Sequence, residues 1–279
     1  MLLCNENAGA TQPGDAERLA EAVRAAGATE IAMVDVDEIE TLFRRAAHAN
    51  LVVVLGGDGT ARAAASLAKP DSPPLVLLPG GTLNMLPKVL YGDLPWPDAL
   101  EAALERGVVK RMTGGKANGE PFFIAAMFGA PALLARAREA IRKGKLISAA
   151  RRLRHYAGRA FTRRLIGRPD GARMKSSEAF GVLCPSFSGG IEGVDLEWVR
   201  LDARGMGDLA RVGMAALGPN WRDDPVIEAR RCGSGEIRGR GAIPATLDGE
   251  PCTFLSRVRI VYHGEGPRVV ALEPEPAEA

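Results

Sequence analysis

The first hundred or so residues alternate between short apolar runs and segments with helical spacing. Such alternation specifies parallel strands, because a parallel connection needs a crossover of about a dozen residues or more. It predicts a doubly wound parallel α/β sheet, a fold in which ligands bind at the carboxyl ends of the strands. The predicted strands cover residues 1–4, 31–34, 51–55 and 75–78, and the predicted helices run from Asp15 to Ala26, Glu38 to Ala49 and Thr60 to Ala68.

From about Gly114 the pattern changes to alternating or apolar strand runs, beginning with a hairpin-like stretch at residues 116–130. A basic helical block interrupts these runs, and the strand runs on either side of it favour a largely antiparallel arrangement. We therefore predict an α/β domain over residues 1–113 and a β-rich, sandwich-like domain over 114–264. Residues 265–279 are predicted to hold a C-terminal strand and an acidic tail, which could return to the first domain.

Basic residues are concentrated in one part of the chain, although the formal net charge is only +2. Residues 136–175 contain fourteen Lys or Arg against two acidic residues, and apolar residues recur there at helical spacing. This pattern predicts a basic amphipathic helix over about residues 136–168. Such a helix can dock on anionic lipid headgroups, or it can be a solvated helix packed on its own domain. No nucleic-acid recognition motif accompanies it.

A glycine-rich loop, Gly56-Gly57-Asp58-Gly59-Thr60, follows the third predicted strand. Glycine lets a backbone lie against phosphate oxygens and adopts turn torsions that other residues avoid. The loop amides, with the positive end of a helix that begins near Thr60 and is capped by it, would form an anion site. Asp58 would repel phosphates unless Mg²⁺ lies between them, so the loop predicts magnesium and a nucleoside triphosphate. The alternative is a glycine-rich turn with a capping aspartate.

Two further polar loops follow predicted strands of the same sheet. Small or polar residues of this kind leave room for phosphate, and loops at adjacent strand ends face one pocket. Three such loops in one sheet favour a phosphate site over a coincidence. The residues are Gly80, Gly81, Thr82 and Asn84 after the fourth strand, and Asn5, Asn7 and Gly9 after the first.

The ordered set "NENAG", "GGDGT", "GGTLN" and the late "LDGE" resembles the lipid kinase family that includes bacterial diacylglycerol kinases, sphingosine kinases and ceramide kinases. The resemblance spans nearly the whole chain, whereas "GGDGT" alone is shared with NAD kinases and phosphofructokinase-like enzymes. It implies an α/β nucleotide-binding domain and a β-rich domain that binds lipid, with magnesium-ATP in the cleft between them.

The resemblance also implies roles for individual residues. Asp58 would join a magnesium network, and Glu250 would accept the proton of the substrate hydroxyl, with Asp248 as the second choice. Asp-Gly is also a strong hairpin signal, so a plain turn is the alternative for "LDGE". The implied nucleotide-binding residues are Asn5, Gly9, Gly56, Gly57, Asp58, Gly59, Thr60, Gly80, Gly81, Thr82 and Asn84.

The chain departs from the family's usual pattern at several positions. The family's Asn-Glu after "GGDGT" is replaced by Arg62 and Ala63, and the acidic residue of its second glycine motif by Met85. An aspartate of the magnesium network aligns with Thr113, and the proline of the opening loop with Glu6. A further magnesium site near an Asp-Gly matches loosely, at Glu192 and Gly193.

These observations predict an ATP- and magnesium-dependent lipid kinase acting on a diacylglycerol-like or sphingoid hydroxyl. The alternatives are a soluble-substrate kinase of the NAD kinase type and a non-catalytic nucleotide- or lipid-binding relative. We expect a cytoplasmic protein that associates peripherally with anionic membranes, binds no nucleic acid and could form a homodimer. We expect neither a signal peptide nor a membrane span, and the four scattered cysteines are expected to be reduced.

Overall fold

The computed structural model describes residues 1–129, 164–188, 193–202 and 221–273. The chain divides into two compact units, which are described separately below. The first unit contains residues 1–113, 188–193 and 264–279, and the second contains residues 114–187 and 194–263. No helix in the described ranges is long and apolar enough to cross a bilayer.

The first unit is built on a six-stranded sheet in the order β2-β1-β3-β4-β18-β5. All neighbouring strands are parallel except β5, which runs antiparallel to β18. The two central apolar runs are fully buried, which explains why they lack the polar alternation of a half-exposed strand. The strands are β1 (Leu2–Cys4), β2 (Met33–Val34), β3 (Val52–Gly56), β4 (Leu75–Pro79), β5 (Val108–Arg111) and β18 (Arg268–Ala271).

Among the described residues, five α-helices accompany this sheet, and the predicted α/β class is confirmed. The helix predicted from Glu38 to Ala49 is wrong, because a 3₁₀ helix, Val36–Thr41, and one short α-helical turn occupy this region. Glu38 has non-helical torsions, and the surrounding β-branched residues are poor helix formers. The helices are α1 (Asp15–Ala25), α2 (Leu42–Arg45), α3 (Asp58–Leu67), α4 (Met85–Tyr91) and α5 (Trp96–Arg106).

The second unit contains two six-stranded antiparallel sheets, in the orders β10-β9-β14-β17-β6-β7 and β13-β12-β11-β8-β15-β16. Apolar side chains from both sheets form one shared core, so the unit is a β-sandwich, as predicted. Short 3₁₀ helices lie at Pro185–Ser188 and Trp221–Asp223. The strands are β6 (Gly114–Ala117), β7 (Glu120–Phe122), β8 (Ala125–Gly129), β9 (Leu165–Pro169), β10 (Lys175–Ser177), β11 (Ala179–Leu183), β12 (Leu196–Leu201), β13 (Ile227–Cys232), β14 (Ser234–Arg238), β15 (Ile243–Leu247), β16 (Glu250–Phe254) and β17 (Arg257–His263).

Strand β9 corrects the end of the predicted basic helix. Residues 165–168 belong to a strand in which Leu165 and Gly167 are buried while Ile166 and Arg168 are exposed. The same residues fit a two-residue period as well as a helical one, and pairing with β10 and β14 selects the strand. The rest of the predicted helix, up to residue 163, lies outside the described residues.

Candidate functional site

Three loops of the first unit meet at the carboxyl ends of neighbouring parallel strands. The β1–α1 loop, the β3–α3 turn and the β4–α4 loop are joined by backbone hydrogen bonds. The Gly80 amide donates to the Gly56 carbonyl at 2.8 Å, and the Ala10 amide donates to the Gly80 carbonyl at 2.9 Å. The predicted convergence of the glycine motifs is therefore found within this unit.

Asn5 connects the first loop to helix α3 through its side chain. Its Nδ2 donates to Thr60 Oγ1 at 2.9 Å, and Thr60 is only 9% exposed. Helix α3 begins at Asp58 with Gly57 as its N-cap, so the prediction that Thr60 caps this helix is wrong. Thr60 instead lies in the first turn, where its hydroxyl ties α3 to the β1–α1 loop. Gly59 also lies in this turn and is exposed.

Sequence reasoning missed the role of Thr11 in the first loop. Its Oγ1 lies 3.0 Å from both the Asn5 and the Ala8 carbonyl oxygens, so the hydroxyl closes the loop on itself. A lone threonine gives no distinguishing sequence signal, because a hydroxyl can also bond locally in many loops without closing them.

The glycines are needed where the loops touch one another. A Cβ on Gly81 would lie 2.7 Å from the Gly57 Cα, and a Cβ on Gly80 would lie 3.0 Å from the Gly56 backbone. A Cβ on Gly9 would lie 2.7 Å from Thr82 Oγ1. None of the glycines in these motifs has a positive φ, so the expectation that they provide special turn torsions is wrong. Close packing against a neighbouring backbone explains Gly80 and Gly81, and close packing against a threonine side chain explains Gly9 and Gly56.

Asp58 holds the start of helix α4. Its Oδ2 accepts the Asn84 amide at 3.0 Å, and its Oδ1 accepts the Met85 amide at 2.5 Å. Burial raises the pKa of the Asp58 carboxyl above its ordinary value, while the hydrogen bonds from these amides act in the opposite direction. Asp58 therefore connects the "GGDGT" motif to the "GGTLN" motif through the backbone.

Asn84 completes the second glycine loop by folding it into a tight turn. It has the left-handed torsions φ 53° and ψ 45°, which asparagine tolerates better than most residues. Its Oδ1 accepts the Gly81 amide at 2.7 Å, and its Nδ2 donates to the Gly81 carbonyl at 2.9 Å. Thr82 lies within this turn and is exposed, and its Oγ1 lies beside Gly9 of the first loop.

Glu6, which stands where the related family has proline, acquires a structural explanation. Its Oε1 accepts the backbone amides of Gly14 and Ala16, each at 3.0 Å. These amides lie at the N-terminus of the eleven-residue helix α1, where a carboxylate is favoured by the helix dipole. Glu6 thus fixes the opening loop to α1.

The other departures lie in ordinary structural positions. Arg62 and Ala63 are half-buried within α3, and Met85 is the first residue of α4. Thr113 is 7% exposed. Of the loosely matched pair, Gly193 is described and Glu192 lies outside the described residues.

The "LDGE" motif of the second unit forms the two-residue turn between β15 and β16. Asp248 and Gly249 both have positive φ, 50° and 84°, as a type I′ hairpin turn requires. Asp248 is 2% exposed, and its carboxylate accepts the amides of Phe123 at 2.8 Å, Ile124 at 2.7 Å and Ala125 at 3.0 Å. Its carboxylate therefore holds the segment before β8 against this turn.

Glu250 differs from Asp248 in exposure. It is the first residue of β16, opposite Leu247 in the ladder, and its side chain is exposed. Of the two carboxylates proposed as proton acceptors, Glu250 is the one open to solvent.

Among the described residues, no three His, Cys, Asp or Glu side chains are grouped so that they could hold a metal ion. Asp58, the predicted ligand, already accepts one backbone amide on each oxygen. Magnesium in nucleotide sites is held by one or two carboxylates together with substrate phosphates and water. The described residues therefore fit a magnesium ion that is carried mainly by a triphosphate, and they do not fit a protein cage for the metal.

Comparisons with known proteins agree with the motifs. Residues 1–117 match the family model described as the diacylglycerol kinase catalytic domain, which confirms over this segment the resemblance inferred from the sequence. An NAD kinase of Thermobifida fusca is 36% identical over 110 residues, which make up 36% of this chain and 32% of that protein. The chain thus spans about a third of the curated relative that it matches.

Two solved structures share the fold at low sequence identity. A diacylglycerol kinase from Bacillus anthracis superposes with a TM-score of 0.73 at 19% identity, covering 97% of this chain and 96% of that one. A yeast NADH kinase complexed with NADH superposes with a TM-score of 0.53 at 14% identity, covering 98% of this chain and 83% of that one. The two-part architecture therefore extends beyond the segment matched by the family model.

Proposed function

We propose that this chain, whose residues 1–117 match the diacylglycerol kinase catalytic domain, is an ATP- and magnesium-dependent lipid kinase. It transfers the γ-phosphoryl group to the hydroxyl of a diacylglycerol-like or sphingoid lipid. It works in the cytoplasm, associated peripherally with an anionic membrane surface.

The observation that carries the proposal is the convergence of three loops at the carboxyl ends of β1, β3 and β4. This edge of a parallel sheet is where α/β folds bind nucleotides. Helix α3 begins there without a side-chain cap, so the positive end of the helix is available to an anion. The loops lie so close together that a side chain on Gly80 or Gly81 would clash with the backbone.

Phosphoryl transfer depends on positioning and on neutralising charge, and this loop cluster suits both tasks. Gly57, Gly59 and Thr60 at the start of α3 would contact the triphosphate, with Thr82 on the facing loop. Asp58, Asn84 and Asn5 would act through the loops by holding them together. Bound Mg²⁺ would neutralise the developing phosphate charge, with Asp58 as the carboxylate of this cluster that would contact it.

Glu250 is assigned as the proton acceptor in preference to Asp248. The lipid hydroxyl oxygen forms a bond to the γ-phosphorus, the bond to the β–γ bridging oxygen breaks, and ADP leaves. The hydroxyl proton passes to Glu250 late in this step, which an ordinary carboxylate can achieve. Exposure favours Glu250, because the carboxylate of Asp248 is buried and is used by three backbone amides.

A lipid panel tests the proposal. Radiolabelled ATP, Mg²⁺ and mixed micelles containing a diacylglycerol, a sphingoid base or a ceramide should give a labelled product with at least one of them. Glu250→Gln should lower kcat by at least about a hundredfold while leaving the melting temperature unchanged, since the side chain is exposed. Arg44→Gln, at an exposed position of the first unit, serves as the control and should keep full activity. Folded protein that labels no lipid under any condition would reject the proposal.

A soluble-substrate kinase is the second candidate, because the curated relative with 36% identity over 110 residues is an NAD kinase. NAD and NADH should be offered as acceptors in the same assay. Labelled NADP or NADPH without labelled lipid would favour this candidate. Binding of ATP without any turnover would instead favour a non-catalytic relative.

A further inference from the structure

The outward side of one sheet in the second unit carries a row of basic side chains. In β9, β14 and β17 every second residue packs into the shared core, including Leu165, Ile237 and Val258. The intervening residues point to the opposite side of the sheet. Ladder pairing aligns Arg168 with Glu236 and Glu236 with Arg259 across the three strands.

The neighbouring row of outward-pointing residues is also basic. Arg238 pairs with Arg257 on β17 and with Ile166 on β9, and Lys116 lies opposite Val261. We call this surface the basic face, and it consists of Lys116, Arg168, Arg238, Arg257 and Arg259.

Acidic side chains on this surface neutralise only part of the charge. Glu236 Oε1 contacts Arg238 Nε at 2.5 Å and Arg257 Nε at 2.7 Å, so one carboxylate serves two arginines. Asp170, at the end of β9, accepts the amides of Gly233 and Ser234 at 3.1 Å. The basic face therefore keeps an excess of positive charge among the described residues.

Two exposed apolar side chains lie beside the basic face. Ile166 is 46% exposed, directly opposite Arg238, and Leu255 is 83% exposed in the connection that leads into β17. Large apolar side chains that are this exposed and lie next to arginines are typical of membrane-binding surfaces. In such surfaces the apolar groups insert into the bilayer while the cations contact lipid headgroups. Surfaces that bind single-stranded nucleic acid instead present aromatic rings for base stacking. The ring of Tyr262 on β17 packs against the shared core.

We propose that the basic face, with Leu255 and Ile166, docks on the surface of an anionic lipid bilayer. The choice of a bilayer rests on the proposed lipid kinase function, since a substrate that resides in a membrane must be reached at its surface. Each basic residue close to an anionic leaflet contributes roughly 1 kcal/mol, which corresponds to about a fivefold change in binding.

Vesicle binding without ATP tests the docking surface separately from catalysis. The full chain should cosediment with vesicles that contain phosphatidylglycerol and should bind pure phosphatidylcholine vesicles at least about tenfold less. The triple variant Arg168→Gln, Arg257→Gln and Arg259→Gln should weaken binding to the anionic vesicles by about a hundredfold. A control triple, Arg24→Gln, Arg44→Gln and Arg106→Gln, makes the same change of net charge on exposed residues of the first unit and should bind as the wild type does.

Leu255→Ser separates the apolar contribution from the electrostatic one. It should weaken vesicle binding to a similar extent at low and high salt, whereas the effect of the arginine triple should shrink as salt screens the charges. Matching melting curves would establish that each variant is folded.

Three results would each overturn the docking proposal. The arginine triple could bind anionic vesicles as tightly as the wild type, or the wild type could bind neutral and anionic vesicles equally. The wild type could also bind a single-stranded oligonucleotide and not the vesicles. Phosphorylation of a water-soluble short-chain diacylglycerol is measured in parallel. If that activity persists while vesicle binding fails, the docking surface is wrong and the kinase proposal stands. If vesicle binding follows the expected pattern while no lipid is phosphorylated, the docking surface stands and the kinase proposal is wrong.

Discussion

The glycine loops of the first unit and the hairpin turn of the second unit are both held by an aspartate that accepts backbone amides. The two aspartates differ in burial, because Asp248 is 2% exposed and accepts three amides, whereas Asp58 is half-buried and accepts two. Asp58 also lies among glycines that pack backbone against backbone, while the Asp248 turn depends on its own positive torsions. The second unit thus has a turn held by a buried carboxylate next to an exposed glutamate, and the first has a loop cluster at the start of a helix without a side-chain cap.

The largest expected effect comes from Asp248→Ala, which tests whether its carboxylate is structural. Removal would leave three amides without their acceptor, so we expect the free energy of unfolding to fall by about 3–5 kcal/mol. Asp248→Asn keeps one acceptor oxygen and tolerates the positive φ, so it should cost less, about 1–3 kcal/mol. Denaturant titration measures both changes. If Asp248→Ala abolished activity without changing stability, the contrast between Asp248 and Glu250 would be broken.

A pair of glycine substitutions gives the next largest effect and separates packing from ligand contact in the first unit. Gly81→Ala places a Cβ 2.7 Å from the Gly57 Cα, so we expect a loss of about 1–3 kcal/mol in the free energy of unfolding. Gly57→Ala is the matched change, because its Cβ would meet nothing closer than 3.6 Å. Gly57→Ala should therefore fold normally but bind ATP more weakly, as measured by calorimetry. Equal stability for the two variants would show that loop packing does not explain Gly81.

The smallest expected effect is at Asp58, and its size depends on pH. Because burial raises the pKa of this carboxyl above 3.8, the folded protein binds its proton more tightly than the unfolded chain does. The contribution of Asp58 to the free energy of unfolding is fully present below the pKa that its carboxyl has in the unfolded chain. This contribution decreases as pH rises through the pKa that the carboxyl has in the folded protein.

Asp58→Asn removes this titration and keeps one acceptor oxygen for α4, at a cost of about 1 kcal/mol near neutral pH. Denaturation of the wild type and the variant from about pH 3 to 7 should show the wild type losing part of its advantage as pH rises. An advantage that grows with pH would mean that the amides outweigh burial. Asp58 would then resemble a carboxylate stabilised in its charged form.

The sequence predicted the positions of strands and loops better than it predicted why particular residues occupy them. The runs at β3 and β4 were predictable, since buried parallel strands are continuously apolar. The glycines were found by their motif, but the atoms that a Cβ would meet lie on other loops and become visible only when those loops are packed. The same holds for Asp248, whose amide partners lie more than a hundred residues earlier in the chain.

Two local predictions were wrong because the residues concerned are compatible with more than one local structure. Leu165 fits a helical stripe as well as a strand, and pairing with β10 and β14 decided between them. Thr60 is a good cap residue by type, but the helix begins two positions earlier, at Asp58. The contacts of Glu6 and Thr11 were not predicted, because single polar residues in a loop have no periodicity that indicates their partners.

Strand β18 gives the first unit a particular assembly order. It lies between β4 and β5 and is reached only after the whole second unit, so a nascent chain cannot close the first sheet until residues 268–271 have left the ribosome. The Tyr91 hydroxyl donates to the Val270 carbonyl at 2.8 Å, so the last strand also secures helix α4. The segment that matches the catalytic domain, residues 1–117, would by itself lack this strand and leave β4 and β5 with open edges. The first unit thus begins to be translated before the second unit and can be completed only after it.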